Sequence, residues 1–544
     1  MLRIFIYVSR LHVIQYNTPV FTKTKFILPL SLFLSAIFAF FEAGGYFISW
    51  LSAALIFFLG LSALYALWEW AGKPRKLFFI IILALILRLT SAVALQVFLP
   101  INGYPDSDQQ QAGYVFYDAY NRDTASYELA QSDSPLLSAF SQKDHTDQYG
   151  GLLFLSASVY RYLSPNAHRP LLIALIAAFS AVLGIPFLWM AGKELGGTKL
   201  ALPATAIFAL YPESILMGSS QMREPFLISL VAITFWAFLS WQKLPPHSPQ
   251  RGDARKGRGA ALALGFLAML LISPAIAIYQ LIFLSVYTLL SQEKSRISIK
   301  HMLIFITLTL LAIFLLSSAL STTKLNANSP LGTIVEWSQR AILWDMYQLE
   351  RGSGWVQKLF EEMPASIHIP FVAAYGLTQP VLPAAFIEPT TFIWKFLGIM
   401  RAVGWYLLAP LLLFGFFAIP KLDSAQTRRV WTWIGLACWF WIVIASLRAG
   451  GDQWDNPRYR VIFLALQALF AARAWVTFRE GDSAWFTRLL AVEAIFLTFF
   501  SQWYASRYYA RFGTLSFGTM VAWILSLSAI VVVTGIIQDR KKTL

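Results

Sequence analysis

The sequence has little charge and almost no cysteine. Only 13% of its 544 residues are charged, against roughly 25% in soluble domains. The single cysteine, Cys438, lies within an apolar run, which excludes an internal disulfide and a cysteine-based metal cluster. No HExxH, CxxC, P-loop or dinucleotide-binding glycine motif occurs in a suitable context. These absences exclude an ordinary soluble domain and a disulfide-stabilised fold.

What the chain has instead is long apolar runs, since 57% of its residues are hydrophobic. A helix needs about 20 apolar residues to cross a bilayer. The longest run, 260–291, is interrupted at Ser273-Pro274 and has basic flanks, so the positive-inside rule predicts a hairpin of two short helices there. We therefore expect an all-α polytopic membrane protein with about fourteen spans. Besides the hairpin, the candidate spans are 26–42, 46–70, 77–98, 170–191, 200–216, 224–242, 302–320, 402–420, 430–447, 461–478, 487–504 and 514–537.

The net charge of +15 lies largely in short polar segments between apolar runs, a pattern typical of topology signals and lipid headgroup contact rather than nucleic-acid binding. No removable signal peptide is expected, because the N-terminus lacks a clean apolar core before a small-residue cleavage site. The same charge rule predicts a multi-pass protein of the cell membrane with both termini in the cytoplasm. The predicted external segments are 99–169 and 321–400, with short turns at 217–223 and 448–460.

This topology predicts four parts along the chain. Residues 1–76 form an additional N-terminal pair of spans, and 77–320 form a transmembrane core that includes an acidic external loop. Residues 321–400 form a second external segment containing surface helices, and 401–544 form the C-terminal spans.

The acidic loop contains the candidate catalytic residues. Residues 99–150 carry eight acidic side chains, and a carboxylate at such a place can accept a proton from a hydroxyl, as a general base does. Asp106, Asp108 and Asp123 are the candidates. Each could instead be a solvated carboxylate; Asp123 could also cap a helix, and Asp118 could pair with Arg122 four residues on. Asp106 and Asp108, two apart in a turn, also leave a divalent metal open as a cofactor.

The stretch GDQWDNPRYR, residues 451–460, places arginines on the outer side, against the charge rule. A guanidinium binds phosphate through a planar fork of donors, so Arg458 and Arg460 are candidate phosphate ligands, with Tyr459 between them. The alternative is that they snorkel to ordinary phospholipid headgroups. Asp452 and Asp455 are expected to orient the arginines.

Two further charged positions lie at or within spans. Arg88 stands inside the span 77–98 and is expected to face the bundle interior, either in a structural contact or in a supporting role. Arg223 and Glu224 open the span 224–242, where an ion pair and helix cap are favoured over a share in the site.

Several of these features resemble the GT-C membrane glycosyltransferases that use polyprenyl-phosphate sugars, such as protein mannosyltransferases and lipid A aminoarabinose transferases. Arg88 precedes an acidic external loop, as in that group. The stretch Asp123-Thr-Ala-Ser-Tyr127-Glu-Leu-Ala130 is similar to its D-x-x-x-Y…A pattern. Residues 149–239 resemble its return to the membrane, with a GG-containing turn and a P-E…E-P pair, and 458–460 resemble its R-Y-R element.

The resemblance implies transfer of a sugar from a polyprenyl-phosphate carrier to a lipid, glycan or protein acceptor in the cell envelope, by inverting displacement. It gives one of Asp106, Asp108 and Asp123 the base role, and Arg458 and Arg460 the phosphate role. Two alternatives stay open: a polymerase or ligase of the O-antigen type, and a non-enzymatic transporter of lipid or sugar. Transporters, however, usually show inverted repeats and polar residues through the depth of the bundle. The supporting positions are Arg88, Asp118, Tyr127, Glu224 and Tyr459.

Overall fold

The structure, a computed structural model, describes residues 20–42, 44–141, 149–242, 251–291, 299–320, 329–352, 354–481 and 484–543. Within those ranges the chain forms α-helices and short 3₁₀ turns and no strand. Two acids of the predicted loop, Asp144 and Asp147, lie outside the described residues.

The helices are numbered here in chain order. They are α1 (Val20–Ala39), α2 (Tyr46–Trp70), α3 (Arg75–Asn102), α4 (Asp108–Gln111), α5 (Tyr117–Gln131), α6 (Gly151–Leu163), α7 (Pro170–Leu210), α8 (Pro212–Gly218), α9 (Glu224–Gln242), α10 (Arg251–Ile272), α11 (Pro274–Ser291), α12 (Ile299–Leu320), α13 (Pro330–Gly352), α14 (Gly354–Glu362), α15 (Ala365–Thr378), α16 (Leu382–Ile387), α17 (Phe392–Ala418), α18 (Ala425–Ala449), α19 (Asp455–Arg460), α20 (Leu464–Arg479), α21 (Ala484–Tyr509) and α22 (Phe517–Thr543).

Ten helical stretches among the described residues are long and apolar enough to cross a membrane. The chain is therefore an all-α polytopic membrane protein, because a helix satisfies its own backbone hydrogen bonds in the bilayer core. The expected count of about fourteen stays a prediction. The predicted spans in α1, α10 and α12 are not among these ten, and the two spans predicted for 170–191 and 200–216 form one helix, α7. The predicted hairpin is present as α10 and α11, separated at Ser273.

The chain divides into two compact units. Unit 1 contains the described residues up to Leu343 together with Val461–Ala465, and unit 2 contains Trp344–Arg460 and the described residues from Leu466 onward. This division does not test the predicted four parts, which stay a prediction.

The core of unit 1 is built on α7 and α9. About four-fifths of the apolar stretch of each helix is buried, against a third for α3, so α3 faces the lipid more than α7 does. Small side chains let the two central helices approach: a Cβ on Gly184 of α7 would lie 2.6 Å from Oγ of Ser229 on α9. Ser229 Oγ in turn accepts the Gly184 N–H and donates to the Ser180 carbonyl. Close backbone approach of this kind is typical of helix packing in membranes.

Helix α7 is interrupted at the predicted GG turn. Gly196 and Gly197 leave helical geometry, and Gly197 has a φ of 68°, a backbone conformation that favours glycine. A Cβ on Gly192 would lie 2.8 Å from the Ala201 Cα, so the helical segments on either side of the turn pack closely. The sequence prediction of a break between 191 and 200 is confirmed.

In unit 2, α15 packs on α18, and α17 packs on α21. Only 6% of the apolar stretch of α21 and 11% of that of α22 is buried within the chain, so both helices present most of their surface outward. Exposed apolar side chains on such helices are what a lipid environment requires.

Arg88 ties three parts of unit 1 together. Its guanidinium is fully buried, and Nη1 donates to the carbonyl of Ala84 in its own helix and to that of Ala209 at the end of α7. Nη2 donates to Ser214 Oγ on α8 at 2.8 Å. A Cβ on Gly218 would lie 2.6 Å from Arg88 Nε, so only glycine fits beside the guanidinium. Arg88 therefore faces the bundle interior, as expected, and satisfies a carbonyl that the end of α7 leaves without a helical partner.

We expect Arg88→Ala to destabilise unit 1 by about 3 kcal/mol, because it leaves buried carbonyl groups without a donor. The measurement is thermal unfolding in detergent. Arg75→Ala is the control, since Arg75 is exposed at the start of the same helix. Equal melting temperatures for the two variants would contradict the structural role.

Candidate functional site

At one end of unit 1, segments far apart in sequence meet. Arg169, just before α7, donates to Ser49 Oγ and Ser164 Oγ, each at 2.7 Å, and to the Gly44 carbonyl. Arg122 of α5 donates to the Gln221 carbonyl, and Gln221 donates to that of Pro170. The turn after α1, the segment 103–169 and the turn before α9 therefore lie together. Charge predicted one common side for two of these segments, 99–169 and 217–223.

The Asp123 carboxylate lies at the centre of this end. It is 2% exposed and accepts hydrogen bonds from Tyr114 Oη at 2.6 Å and from Tyr160 Oη at 2.6 and 2.7 Å. Nε2 of His168 lies 2.9 Å from Oδ2. Burial, reinforced by the nearby carboxylate, raises the pKa of both phenols well above their ordinary value, so both stay protonated as donors.

Aromatic rings hold the His168 imidazole in place. Tyr127, one helical turn after Asp123 on α5, stacks on it with ring centroids 4.7 Å apart and an interplanar angle of 20°. Tyr160 meets it edge-on at 5.0 Å. We call Tyr114, Asp123, Tyr127, Tyr160 and His168 the Asp123 cluster. Among the side chains that contact the Asp123 carboxylate, His168 is the exposed one, at 29% of its side chain, whereas Tyr114 and Tyr160 are buried.

A second carboxyl, Glu42, lies in the turn after α1. Burial raises its pKa to about 8; Arg169 and backbone N–H groups of Leu171 and Leu172 oppose the shift, and Asp123 adds to it. These N–H groups belong to the first turn of α7, so the Glu42 carboxyl lies near the N-terminus of that helix.

The other acids of the loop have different surroundings. Asp106, Asp108 and Asp118 are exposed, Asp108 being the first residue of α4 and Asp118 lying in the first turn of α5. Asp123 is not a helix cap, because α5 begins at Tyr117 and the carboxylate points into the cluster. Within the described residues, no group of three His, Cys, Asp or Glu side chains is arranged to hold a metal ion.

Glu224 is fully buried at the start of α9, and its Oε1 lies 3.8 Å from Arg223 Nε. The predicted ion pair at this helix start is confirmed. The Arg223 guanidinium also lies over the Tyr149 ring, 5.6 Å from its centroid.

Within unit 2, arginines from three helices lie against aromatic rings. Arg460 is buried, stacks on Trp405 of α17 with 3.5 Å between its Cζ and the ring centroid, and donates to the Gln379 carbonyl at 2.9 Å. Arg401 of α17 lies over Trp454 at 4.2 Å. Weakly hydrated guanidinium groups favour such aromatic faces, and their in-plane N–H groups can still donate hydrogen bonds, as Arg460 does to Gln379.

Arg458 and Arg448 both approach the ring of Tyr459. Arg458, 4% exposed, donates to Tyr459 Oη at 3.0 Å, and its Nη1 lies 3.3 Å from Asp455 Oδ1. Arg448 lies over the Tyr459 ring at 5.8 Å and pairs with Asp345 of α13 at 2.9 Å. Burial raises the pKa of Asp345 to about 6, although Arg448 opposes this shift. We call Arg401, Arg448, Arg458 and Arg460 the arginine cluster.

The two aspartates of the turn have different roles. Asp455 contacts Arg458, as expected. Asp452 instead accepts the backbone N–H groups of Trp454 and Asp455, both at 2.6 Å, and so starts the short helix α19. The turn also needs a glycine, since a Cβ on Gly451 would lie 2.3 Å from Leu349 and 2.5 Å from Tyr375.

Sequence reasoning missed Glu42, Tyr114, Tyr160, His168 and Arg169. Their signal was weak: Glu42 ends the first apolar run, and His168-Arg169 stands directly before the span that begins at Pro170. A polar or charged pair at a predicted span terminus is common, so position alone does not distinguish these residues from ordinary flanking charges.

The fold defines the class of protein, a polytopic all-α membrane protein. We compared the chain with known proteins to ask whether a family or an activity can be assigned to it. No protein-family model matches the chain, and no curated protein matches it. Among solved structures it is similar to the oligosaccharyltransferase of Archaeoglobus fulgidus in its apo form, at 13% identity and a TM-score of 0.38, covering 85% of this chain and 55% of that one.

The oligosaccharyltransferase AglB from Archaeoglobus fulgidus, in complex with an inhibitory peptide and a dolichol-phosphate, is similar at 13% identity and a TM-score of 0.33. That similarity covers 86% of this chain and 56% of the other. The chain thus spans about half the length of the structures that it matches. Similarity at this level assigns neither a fold family nor an activity to this chain.

We expect Glu42 to make stability depend on pH. Its folded-state pKa of about 8 lies above the ordinary value of 4.5, so the folded chain keeps a proton that the unfolded chain loses between these values. The free energy of unfolding should therefore fall as pH rises from about 4.5 to about 8.

Glu42→Gln should flatten this part of the stability profile, measured as unfolding in detergent at several pH values. Glu128→Gln, at an exposed position on α5, is the matched control and should leave the profile unchanged. An unaltered slope in Glu42→Gln would show that this carboxyl does not titrate as described.

Proposed function

We propose that this protein is a membrane glycosyltransferase that moves a sugar from a polyprenyl-phosphate carrier to an acceptor at the external membrane face. The main support for this proposal is the arginine cluster. Of its four guanidinium groups, Arg448 pairs with Asp345 and Arg458 with Asp455, and Asp452 lies in the same turn. Four positive charges against these three aspartates leave net positive charge at the start of a span. A lipid phosphate at headgroup depth has the charge and the geometry to match.

The aromatic faces support this role. Arg460 lies against the ring of Trp405 and Arg401 against that of Trp454, and both Arg458 and Arg448 lie over the ring of Tyr459. Guanidinium groups fixed in this way need little rearrangement when an anion binds, and a preorganised donor stabilises charge better than a mobile one. Snorkelling to ordinary headgroups requires exposed, extended side chains, whereas Arg458 and Arg460 are buried.

In the reaction, the acceptor oxygen attacks the anomeric carbon and the bond from that carbon to the phosphate oxygen breaks. The electron pair passes to the phosphate oxygen, where Arg458 and Arg460 stabilise the growing negative charge. The acidic segment of unit 1 receives the acceptor proton; Asp106, Asp108 and Asp123 are its candidate carboxylates. Arg88 and Glu224 support this end of unit 1 through the buried contacts described above. Tyr127 supports it by stacking on the His168 imidazole, and Asp118 contributes a surface charge. In unit 2, Tyr459 supports the arginines.

We expect Arg458→Ala and Arg460→Ala each to lower turnover by about 100-fold or more, because each removes a preorganised donor to the departing phosphate. Lysine at either position should restore little of the lost turnover, since an ammonium does not offer a planar fork of donors. At position 460 it would also lose the stacking on Trp405. The measurement is transfer of labelled sugar from a panel of polyprenyl-phosphate and polyprenyl-pyrophosphate donors by protein in lipid nanodiscs. Product length separates single-sugar transfer from the polymerase or ligase alternative.

Arg479→Ala is the matched control, being an exposed arginine at the far end of α20. It should keep wild-type turnover. Full activity in correctly folded Arg458→Ala and Arg460→Ala would contradict the phosphate role.

The external placement has its own test. Cys438 is the single native cysteine, so a cysteine-free Cys438→Ala background accepts one probe position at a time. The positive-inside rule predicts that the turn 421–429 lies in the cytoplasm. With intact cells, a membrane-impermeant maleimide should label Ser134→Cys in the acidic segment and spare Asp423→Cys in that turn; both positions are exposed. The reverse labelling pattern would place the acidic segment inside.

A further inference from the structure

We infer that His168 is the residue that takes the proton from the acceptor hydroxyl, with Asp123 as the positioning carboxylate behind it; this inference rests on the proposed glycosyl transfer. A general base must reach the hydroxyl that it deprotonates. Asp123 is 2% exposed and already accepts hydrogen bonds from two phenols and an imidazole. The imidazole of His168 is the member of this group with an open edge, since 29% of its side chain is exposed.

The hydrogen bond to Asp123 selects the tautomer of His168. A carboxylate accepts, so the nitrogen that faces it, Nε2, carries the hydrogen. In the neutral ring Nδ1 then has the lone pair. Among the described residues, no hydrogen bond is made to Nδ1 of His168. Nδ1 is therefore the basic atom, and the ring is oriented as in other enzymes where a carboxylate holds a histidine base.

Neighbouring rings restrict the imidazole to one plane. Tyr127 stacks on one face, and Tyr160 meets it edge-on while donating to the same carboxylate. A fixed ring keeps Nδ1 in one direction, which is what proton transfer to a positioned base requires. Tyr127 and Tyr160 are therefore positioning residues for His168.

The proton transfer balances without a further reactant. The acceptor O–H bond breaks, its proton goes to Nδ1, and its oxygen forms the new bond to the anomeric carbon as the bond to phosphate breaks. The imidazolium that results lies beside the Asp123 carboxylate, which stabilises its positive charge.

Several titratable and charged groups surround the His168 ring, and they come from each segment packed against it. They are Asp123 and Tyr127 of α5, Tyr114 before α5, Tyr160 of α6, Glu42 of the turn after α1 and Arg169 before α7.

Variants at position 168 separate a base from a structural contact. Glutamine keeps a donor for Asp123 but has no basic nitrogen, so His168→Gln should lower turnover by about 100-fold or more. It should also abolish the acidic limb of the pH–rate profile. In His168→Ala, added imidazole should restore at least about tenfold of the lost rate, because it can supply the missing base in the space left. His368→Gln is the matched control: His368 lies in unit 2, beside the Phe360 ring and the backbone carbonyls of Phe360 and Met363, and its variant should keep full activity.

A readout that needs no activity tests the pair of Asp123 and His168 directly. In protein with ¹⁵N-labelled histidine, the signal missing from His168→Gln should show the Nε2–H tautomer in the neutral wild type. Asp123→Asn should mix the two tautomers, because an amide can donate as well as accept.

An Nδ1–H tautomer in the wild type, or full turnover in folded His168→Gln, overturns this inference. Absence of transfer by the wild-type protein with every lipid-linked donor overturns the proposed function instead. Loss of turnover in His168→Gln without imidazole rescue of His168→Ala, and with an unchanged pH profile of the residual activity, shows a structural role and also overturns the inference.

Discussion

A charge taken out of water must be surrounded by groups that replace its hydration, and this requirement organises both units of the chain. The buried arginines meet it with carbonyl oxygens, a hydroxyl or aromatic faces, as Arg88 and Arg460 show. The buried carboxylate of Asp123 meets it with two phenols and an imidazole. Because such partners come from distant parts of the sequence, each buried charge also joins the segments that supply them.

In unit 1 this joining brings the residues of the candidate site together. Asp123 links α5, α6 and the segment before α7, while Arg169 and Glu42 attach the turn between α1 and α2 to the same place. The first two helices, which the sequence suggested as an addition to the core, thus contribute a carboxyl to its polar end. In unit 2 the arginines meet carbonyl groups and rings where α17, α18 and α19 approach each other. Apart from Arg88 and Arg401, which are buried within spans, these charged groups lie outside the spans or at their ends, because the bilayer tolerates few charges along a span.

Much of this was predictable from individual residues. The apolar runs predict the helices, and the broken helix α7 follows from its two glycines. Arg458 and Arg460 stood out because they oppose the charge rule, and Asp123 and Tyr127 stood out through a family-like spacing. Their surroundings were not predictable: Asp123 had the features of a loop acid or a helix cap, yet it is a buried acceptor on α5. Glu42, Tyr114, Tyr160 and His168 come from four separate segments and share no motif.

The sequence by itself determined that this is a helical membrane protein, where its breaks fall, and which arginines are unusual, because hydropathy, glycine and charge act locally along a chain. The tertiary structure alone decided which side chains meet. Whether a carboxylate is a solvated base or the support of an imidazole depends on the donors within hydrogen-bond distance. Those donors, from Tyr114 to His168, are brought to Asp123 by helix packing and not by their spacing in the sequence.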